Sequence, residues 1–410
     1  MNFKELKTQF FLSIVFIFFS SLIIFEIPPR LRIYFNKYVL EKNFNSYCKN
    51  IKINQIQFKY GPCPNTITTR MRSKDYPIIR ETISFTDSLG GRVNEKSLGQ
   101  KFEKNKFNIY LIGDSFIQAD EIPYEKTVFG LINNNANNKT LLKAYGFGYA
   151  SWNTEEYLKS IKAINATNSK YDIYLFANDF LPSYGRSRYA SLKNKSISSD
   201  KKYLKNFIKY FVNKSFTLRK LKDIYISQKF KKSYQDFWII YSKDENKCKL
   251  LKENKNKLSP VLVDHLYYSL SYKCWEEIHK ESYKIVLNDI NNMKKEARKR
   301  NSKIRFIYIP TGFSIKGENF PGRTIYPYNI ENDKELVLTG LKKQLKKDIG
   351  ENFVDLYEPI KIHISKLKKN IDCSKGNCNN VLYYGYDGHF NEKGHIFLYK
   401  YLYENLVNQD

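Results

Sequence analysis

Ser115 ends the stretch Ile109-Tyr-Leu-Ile-Gly-Asp-Ser. Ile109 to Ile112 is a short apolar, β-branched run that reads as a buried strand. Gly113 and Asp114 break it, and the residues after them can open a helix. A serine at such a junction lies beside first-turn N–H groups and the positive end of a helix dipole, which favour developing negative charge. A serine nucleophile needs that environment, because attack on an acyl carbon produces an oxyanion. The bland reading is a junction where Asp114 or Ser115 merely caps the helix.

The elements around Ser115 repeat one pattern. Lys126–Asn134 continues a first helical layer, and Thr140–Tyr145 is a second strand ending in Gly146-Phe-Gly148-Tyr-Ala-Ser151-Trp-Asn153. Thr154 is the expected N-cap of the next helix, over Glu155 and Glu156. Tyr171–Phe176 is a third strand followed by Ala177-Asn178-Asp179, with Asp179 read as a helix cap. Later come a strand at Ile304–Ile309, stopped by Pro310, an amphipathic helix at Glu335–Lys347 and a short strand at Phe353–Leu356. Alternating strands and helices, each strand closing on a small or polar cluster, predict a parallel sheet with helices on both faces. Ligands bind beyond the carboxyl ends of such strands.

Four of these clusters, taken in order, resemble the blocks of the SGNH (GDSL) hydrolase family. They are Gly113-Asp114-Ser115, the glycine-rich turn after the second strand, Asn178-Asp179, and Asp387-Gly-His389-Phe-Asn. The resemblance covers about residues 80–190 and 300–410. It implies a three-layer α/β/α flavodoxin-like fold, and an esterase, lipase, or carbohydrate O-acyltransferase or deacetylase. A Gly-x-Ser-x-Gly elbow is absent from the sequence, which sets the α/β-hydrolase reading aside.

Roles come from chemistry and resemblance together. Ser115 supplies the hydroxyl. Of the five histidines, His389 is the best base, in a turn with Gly388 ahead of a helical run over Glu392–Val407. Asp387 would fix its tautomer and stabilise the imidazolium. The family spaces acid and base as Asp-x-x-His, whereas here one residue separates them, so a backbone carbonyl could replace Asp387 and leave a dyad. The oxyanion hole is assigned to the backbone N–H of Ser115, a backbone N–H of the second block at Ser151 with Gly148 as fallback, and the Asn178 amide. Arg186 and Arg188, just after the third block, could bind an anionic group or simply lie on the surface. His395 would pack the last helix, and His265, His279 and His363 are structural. No cofactor and no metal is expected.

The flanking regions set the context. The formal charge of +28 is spread along the chain without a recognition motif, so nucleic acid is not the expected partner. Lys4 and Lys7 precede an uncharged run, Thr8–Phe25, that ends at Glu26, Pro28 and Pro29. It is longer than a signal-peptide core of about 7–15 residues and has no small-x-small cleavage site. We therefore expect an uncleaved signal-anchor over 1–27, with the catalytic part extracytoplasmic and the membrane contacted through this helix. Six cysteines fall into sequence-local pairs, Cys48 with Cys63, Cys248 with Cys274 and Cys373 with Cys378, which in an exported chain suggests disulfides. Residues 28–100 read as a linker and short cover with an edge strand at Glu81–Asp87. Residues 191–299 read as an inserted, Lys- and aromatic-rich helical cap between the catalytic segments 101–190 and 300–410. The cap is a lid with its own small core, a surface for an acidic glycan, or a membrane-facing surface. The expected activity is hydrolysis of an O-acyl ester, on a cell-envelope carbohydrate or another ester substrate. Acyl transfer to a sugar hydroxyl, and a non-catalytic glycan-binding protein on the same fold, are the alternatives.

Overall fold

The computed structural model describes residues 48–71, 81–104, 106–136, 142–196, 237, 240–241, 244–312, 315, 337–368, 382–384 and 388–404. The expected anchor over 1–27, the Cys373–Cys378 pair and Asp387 lie outside these residues. Among the described residues no helix is long and apolar enough to cross a membrane.

An antiparallel hairpin, β1 (Cys48–Ile53) and β2 (Ile56–Gly61), is followed by β3 (Ile67–Met71), β4 (Glu81–Thr86) and β5 (Arg92–Val93). Strands and helices then alternate. β6 (Ile109–Gly113) leads to α1 (Ser115–Gln118) and α2 (Val128–Asn135). β7 (Ala144–Gly148) leads to α3 (Thr154–Ile164), and β8 (Lys170–Phe176) to α4 (Arg188–Ser196), α5 (Lys247–Asn254), α6 (Pro260–Ser269) and α7 (Glu277–Lys299). β9 (Lys303–Ile309), α8 (Thr339–Ile349), β10 (Phe353–Asp355), α9 (Tyr357–Lys368) and α10 (Glu392–Leu402) complete the chain.

Eight strands form one sheet in the order β10-β9-β8-β6-β7-β5-β4-β3, in which β6 to β10 are parallel and β3 to β5 antiparallel. β6 is buried throughout because both faces are covered, which is why it reads as an unbroken apolar run. Tyr110, Ile112, Tyr171 and Ile173 face α3, α7 and α8, whereas Ile109, Leu111 and Tyr174 face α2, α9 and α10. Taken in chain order, the parallel strands stand second, first, third, fourth, fifth across the sheet. The order reverses between β6 and β8, the point beyond whose strand ends ligands bind in open parallel sheets.

Several expectations are corrected. The presumed edge strand at Glu81–Asp87 is interior, since β4 pairs with β3 on one side and β5 on the other. The segment taken as linker and cover therefore extends the main sheet, through the antiparallel pairing of Arg92 in β5 with Gly146 in β7. Alternation along a strand marks its faces but is silent about its neighbours. The second strand starts at Ala144 and runs through the glycines to Gly148. Strand pairing with β6 holds them extended, and only glycine fits there: a Cβ on Gly146 would lie 2.4 Å from the Phe129 ring, and one on Gly148 2.8 Å from the Asp114 carbonyl oxygen. The cap of α3 is Asn153, whose side chain accepts from Glu155 N–H (2.9 Å) while Glu156 accepts from Asn153 N–H (3.2 Å). Thr154 instead donates to Asp289 in α7 at 2.6 Å.

The insertion also ends earlier than 299. Tyr283, Val286, Ile290 and Met293 of α7 pack into the sheet core, so α7 is the helical crossover that returns the chain to β9. α5 and α6 enclose a small core of their own around Leu251, Leu262 and Leu266. Disulfides join Cys48 to Cys63 and Cys248 to Cys274.

Candidate active site

The nucleophile candidate is placed by a tight turn. β6 stops at Gly113, and the Asp114 carboxylate accepts from Phe116 N–H at 3.0 Å to start α1. Ala119 ends that single turn in the left-handed region, at φ 46°. Ser115 is thus the first residue of α1, where N–H groups have no intrahelical acceptor.

The imidazole is placed by a second turn far along the chain. Tyr384 N–H donates to the His389 carbonyl at 2.7 Å, Gly388 N–H to Tyr384 O at 2.9 Å, and Asn391 N–H to Leu382 O at 2.9 Å. Asn391 then caps α10 through Gly394 N–H (3.1 Å). The His389 ring packs on Phe116, with centroids 5.2 Å apart. Across 274 residues of sequence, Ser115 Oγ and His389 Nε2 come within 2.6 Å. Both side chains are half-buried, so the pair is reachable from outside.

They open on a cavity of about 170 Å³, whose walls include Gln118, Asp120, Ala150, Arg186 and His395. Gln118 braces it by accepting from Ala150 N–H (2.7 Å) and donating to Asp120 (2.6 Å). Beneath, the buried Arg92 guanidinium donates to the carbonyls of Gln118 (3.1 Å), Ala119 and Ile122, fixing the turn after α1. His395 accepts from Val128 N–H at Nδ1 (3.2 Å), which leaves its proton on Nε2. Burial, with the Arg92 and His389 charges adding to it, pushes the His395 imidazolium down to about 3, so this ring is neutral.

Two buried carboxyls lie near Ser115 in sequence or space, Asp114 and Asp179. Burial raises Asp114 above the usual carboxylate range, while the Phe116 N–H and the charges of His389 and Arg186 pull it back. Asp179 is raised further, by burial first and by the nearby Asp114 second. Asp179 is not the cap residue expected of it: it closes the turn Ala177–Asp179, and its carboxyl reaches back to accept from Phe176 N–H at 2.9 Å.

Ser115, His389 and Arg186 therefore share one cavity. Ser151 is exposed at φ 77° outside the cavity wall, and Gly148 is packed against the Gly113 and Asp114 carbonyls. Of the second block, Ala150 lies on the cavity wall, and its N–H is taken by the Gln118 side chain. Asn178 comes after β8, half-buried at the same end of the sheet as Ser115, and is not part of the wall. Arg188 turns away, pairing with Glu155 and with Asp289 (3.7 Å). His279 pairs with Asp264 at 3.1 Å, His265 bonds the Val261 carbonyl at 2.8 Å, and His363 packs on Phe397. Among the described residues no three His, Cys, Asp or Glu side chains converge as a metal ion requires.

Sequence reasoning missed Gln118, Asp120, Ala150 and the cavity-facing role of His395. The one available signal was the spacing of Gln118, three residues after Ser115 and so on the same side of a helical turn. No protein-family model matches this chain, and no curated protein matches it.

Proposed function

We propose that the chain is a serine esterase of the SGNH type, acting on an O-acyl ester. The observation that carries this is the 2.6 Å approach of Ser115 Oγ to His389 Nε2 at the mouth of a cavity. A hydroxyl hydrogen-bonded to an imidazole, open to solvent on one side, is the minimal machinery for nucleophilic acyl transfer. Strand order adds support: second-first-third-fourth-fifth is the flavodoxin-like arrangement, with Ser115 at its switch point. The two disulfides agree with an oxidising, extracytoplasmic setting, and hence with an N-terminal anchor in the inner membrane.

In this reading Ser115 Oγ attacks the ester carbonyl carbon while His389 Nε2 takes its proton. The tetrahedral oxyanion is met by first-turn N–H groups of α1 and by the Ala150 N–H, once Gln118 releases it. His389 returns the proton to the departing alkoxide, leaving an acyl-serine and a free alcohol. Water, deprotonated by the same imidazole, then releases the acid and regenerates Ser115. Asp387 remains our proposal for the group that orients His389.

A fluorophosphonate probe tests the reading. Wild type is expected to be labelled, with labelling lost in Ser115→Ala and reduced at least about 100-fold in His389→Ala. Absence of labelling in the folded wild-type chain overturns it in favour of a non-catalytic binding protein. Product analysis with and without a sugar acceptor then separates hydrolysis from acyl transfer.

A further inference from the structure

Two arginines close to each other in sequence have opposite fates. Arg188 is half-buried and engaged by the carboxylates of Glu155 and Asp289. Arg186 lies on the cavity wall with Ser115 and His389, and among the described residues it has no ion-pair partner. Its one resolved contact is with the Tyr184 ring, 6.0 Å from the centroid.

The loop that carries it is held at both ends. Before it, Ser183 donates to the Asp264 carboxylate of α6 through its N–H (2.8 Å) and its hydroxyl, and His279 of α7 holds the other carboxylate oxygen at 3.1 Å. Within it, Tyr184 N–H bonds Leu181 O (3.0 Å) and Ser187 N–H bonds Tyr184 O (2.9 Å), with Ser187 fully buried. After it comes the Arg188 anchor. The backbone that carries the permanently charged, planar guanidinium to the cavity wall is thus held at both ends.

The cavity's own carboxyls do not claim this charge. Asp120 accepts from Gln118, and Asp120 and Glu121 both belong to the turn whose carbonyls Arg92 gathers. Arg92 sets a second buried positive charge against that turn. Asp114 is buried and feels the Arg186 charge without a direct ion pair to it.

We propose that Arg186 is a specificity-determining residue that binds an oxyanion, carboxylate or phosphate, on the molecule bearing the ester. Its substrate class is then an ester that also carries an anionic group, rather than a neutral ester. This inference rests on the esterase reading, and the guanidinium fork suits either anion in a bidentate contact.

The test measures kcat and KM for four acetyl esters with wild type, Arg186→Gln and Arg186→Lys. The esters are an acetylated hexuronate, its methyl ester, an acetylated hexose phosphate and the unphosphorylated acetylated hexose. In Arg186→Gln the ratio of kcat/KM for anionic over matched neutral ester is expected to fall roughly 10- to 100-fold, mainly through KM, with partial recovery in Arg186→Lys. Loss confined to one anionic ester identifies which anion is bound. A ratio that changes less than about twofold for both pairs, in a wild type that still labels with fluorophosphonate, overturns the Arg186 assignment and leaves the esterase standing. If wild type does not label, equilibrium binding of the unacetylated hexuronate and hexose phosphate decides. At least about tenfold weaker binding in Arg186→Gln supports the assignment, and equal binding overturns it.

Discussion

His395 offers the sharpest physical test. Its ring is buried, bonded to Val128 N–H through Nδ1 and lowered to about 3 by burial and by Arg92. In the unfolded chain the same imidazole protonates near its ordinary value of 6.5. Between these two values the unfolded state binds the proton and the native state does not. The His395 contribution to stability is therefore intact above the upper value and drains away as the pH falls through the window. The slope is about 1.4 kcal/mol per pH unit, so from about pH 7.5 to about pH 5 the loss is roughly 2 kcal/mol. His395→Asn removes the titrating group and keeps an acceptor for Val128 N–H. Urea unfolding of both chains at the two pH values reads the effect as a double difference. The truncation itself costs a pH-independent amount, roughly 1–3 kcal/mol, and this penalty should shrink by roughly 2 kcal/mol at the lower pH. Asp114 and Asp179, raised by burial, act with the opposite sign, but they are present in both chains and cancel. A penalty equal at both pH values, within about 0.5 kcal/mol, would refute the account of His395 as a neutral buried ring.

The same geometry makes further outcomes testable. Gly148→Ala should lower stability by roughly 1–3 kcal/mol and cut fluorophosphonate labelling, because the new methyl meets the Asp114 and Gly113 carbonyls at 2.8 and 2.9 Å and must displace the Ser115 turn; chemical unfolding and labelling rate check both. Asp172→Ala should cost roughly 3–5 kcal/mol in urea unfolding, since Asp172 holds Arg305 through two bonds (2.8 and 2.7 Å) and accepts from Tyr403 (2.7 Å), and its loss strands a largely buried guanidinium. Replacing Cys248 and Cys274 together by Ser should cost about 3 kcal/mol, as the bond closes a loop of sequence separation 26, and the urea midpoint should fall accordingly.

The features legible in advance were local. Ile109–Ile112 announces a buried strand because apolar, β-branched residues covered on both faces leave a continuous apolar run, and Gly113-Asp114 marks where it stops. The alternation of strands and helices around it comes from period and from turn chemistry, which lie within a few residues of each other. His389 stood out as the candidate base through its turn and the helix behind it, and two of the sequence-local cysteine pairs are disulfides. The tertiary structure decided whatever depends on partners distant in sequence. Whether β4 is an edge or an interior strand, and whether α7 belongs to the sheet or to the insertion, depend on which surfaces find cover. Arg186 and Arg188 are the same residue type two positions apart, yet Arg188 meets Glu155 and Asp289 while Arg186 lies on the cavity wall. That outcome is fixed by where α3 and α7 place their carboxylates, since a charge takes its role from the groups that the folded chain sets within a few ångströms of it.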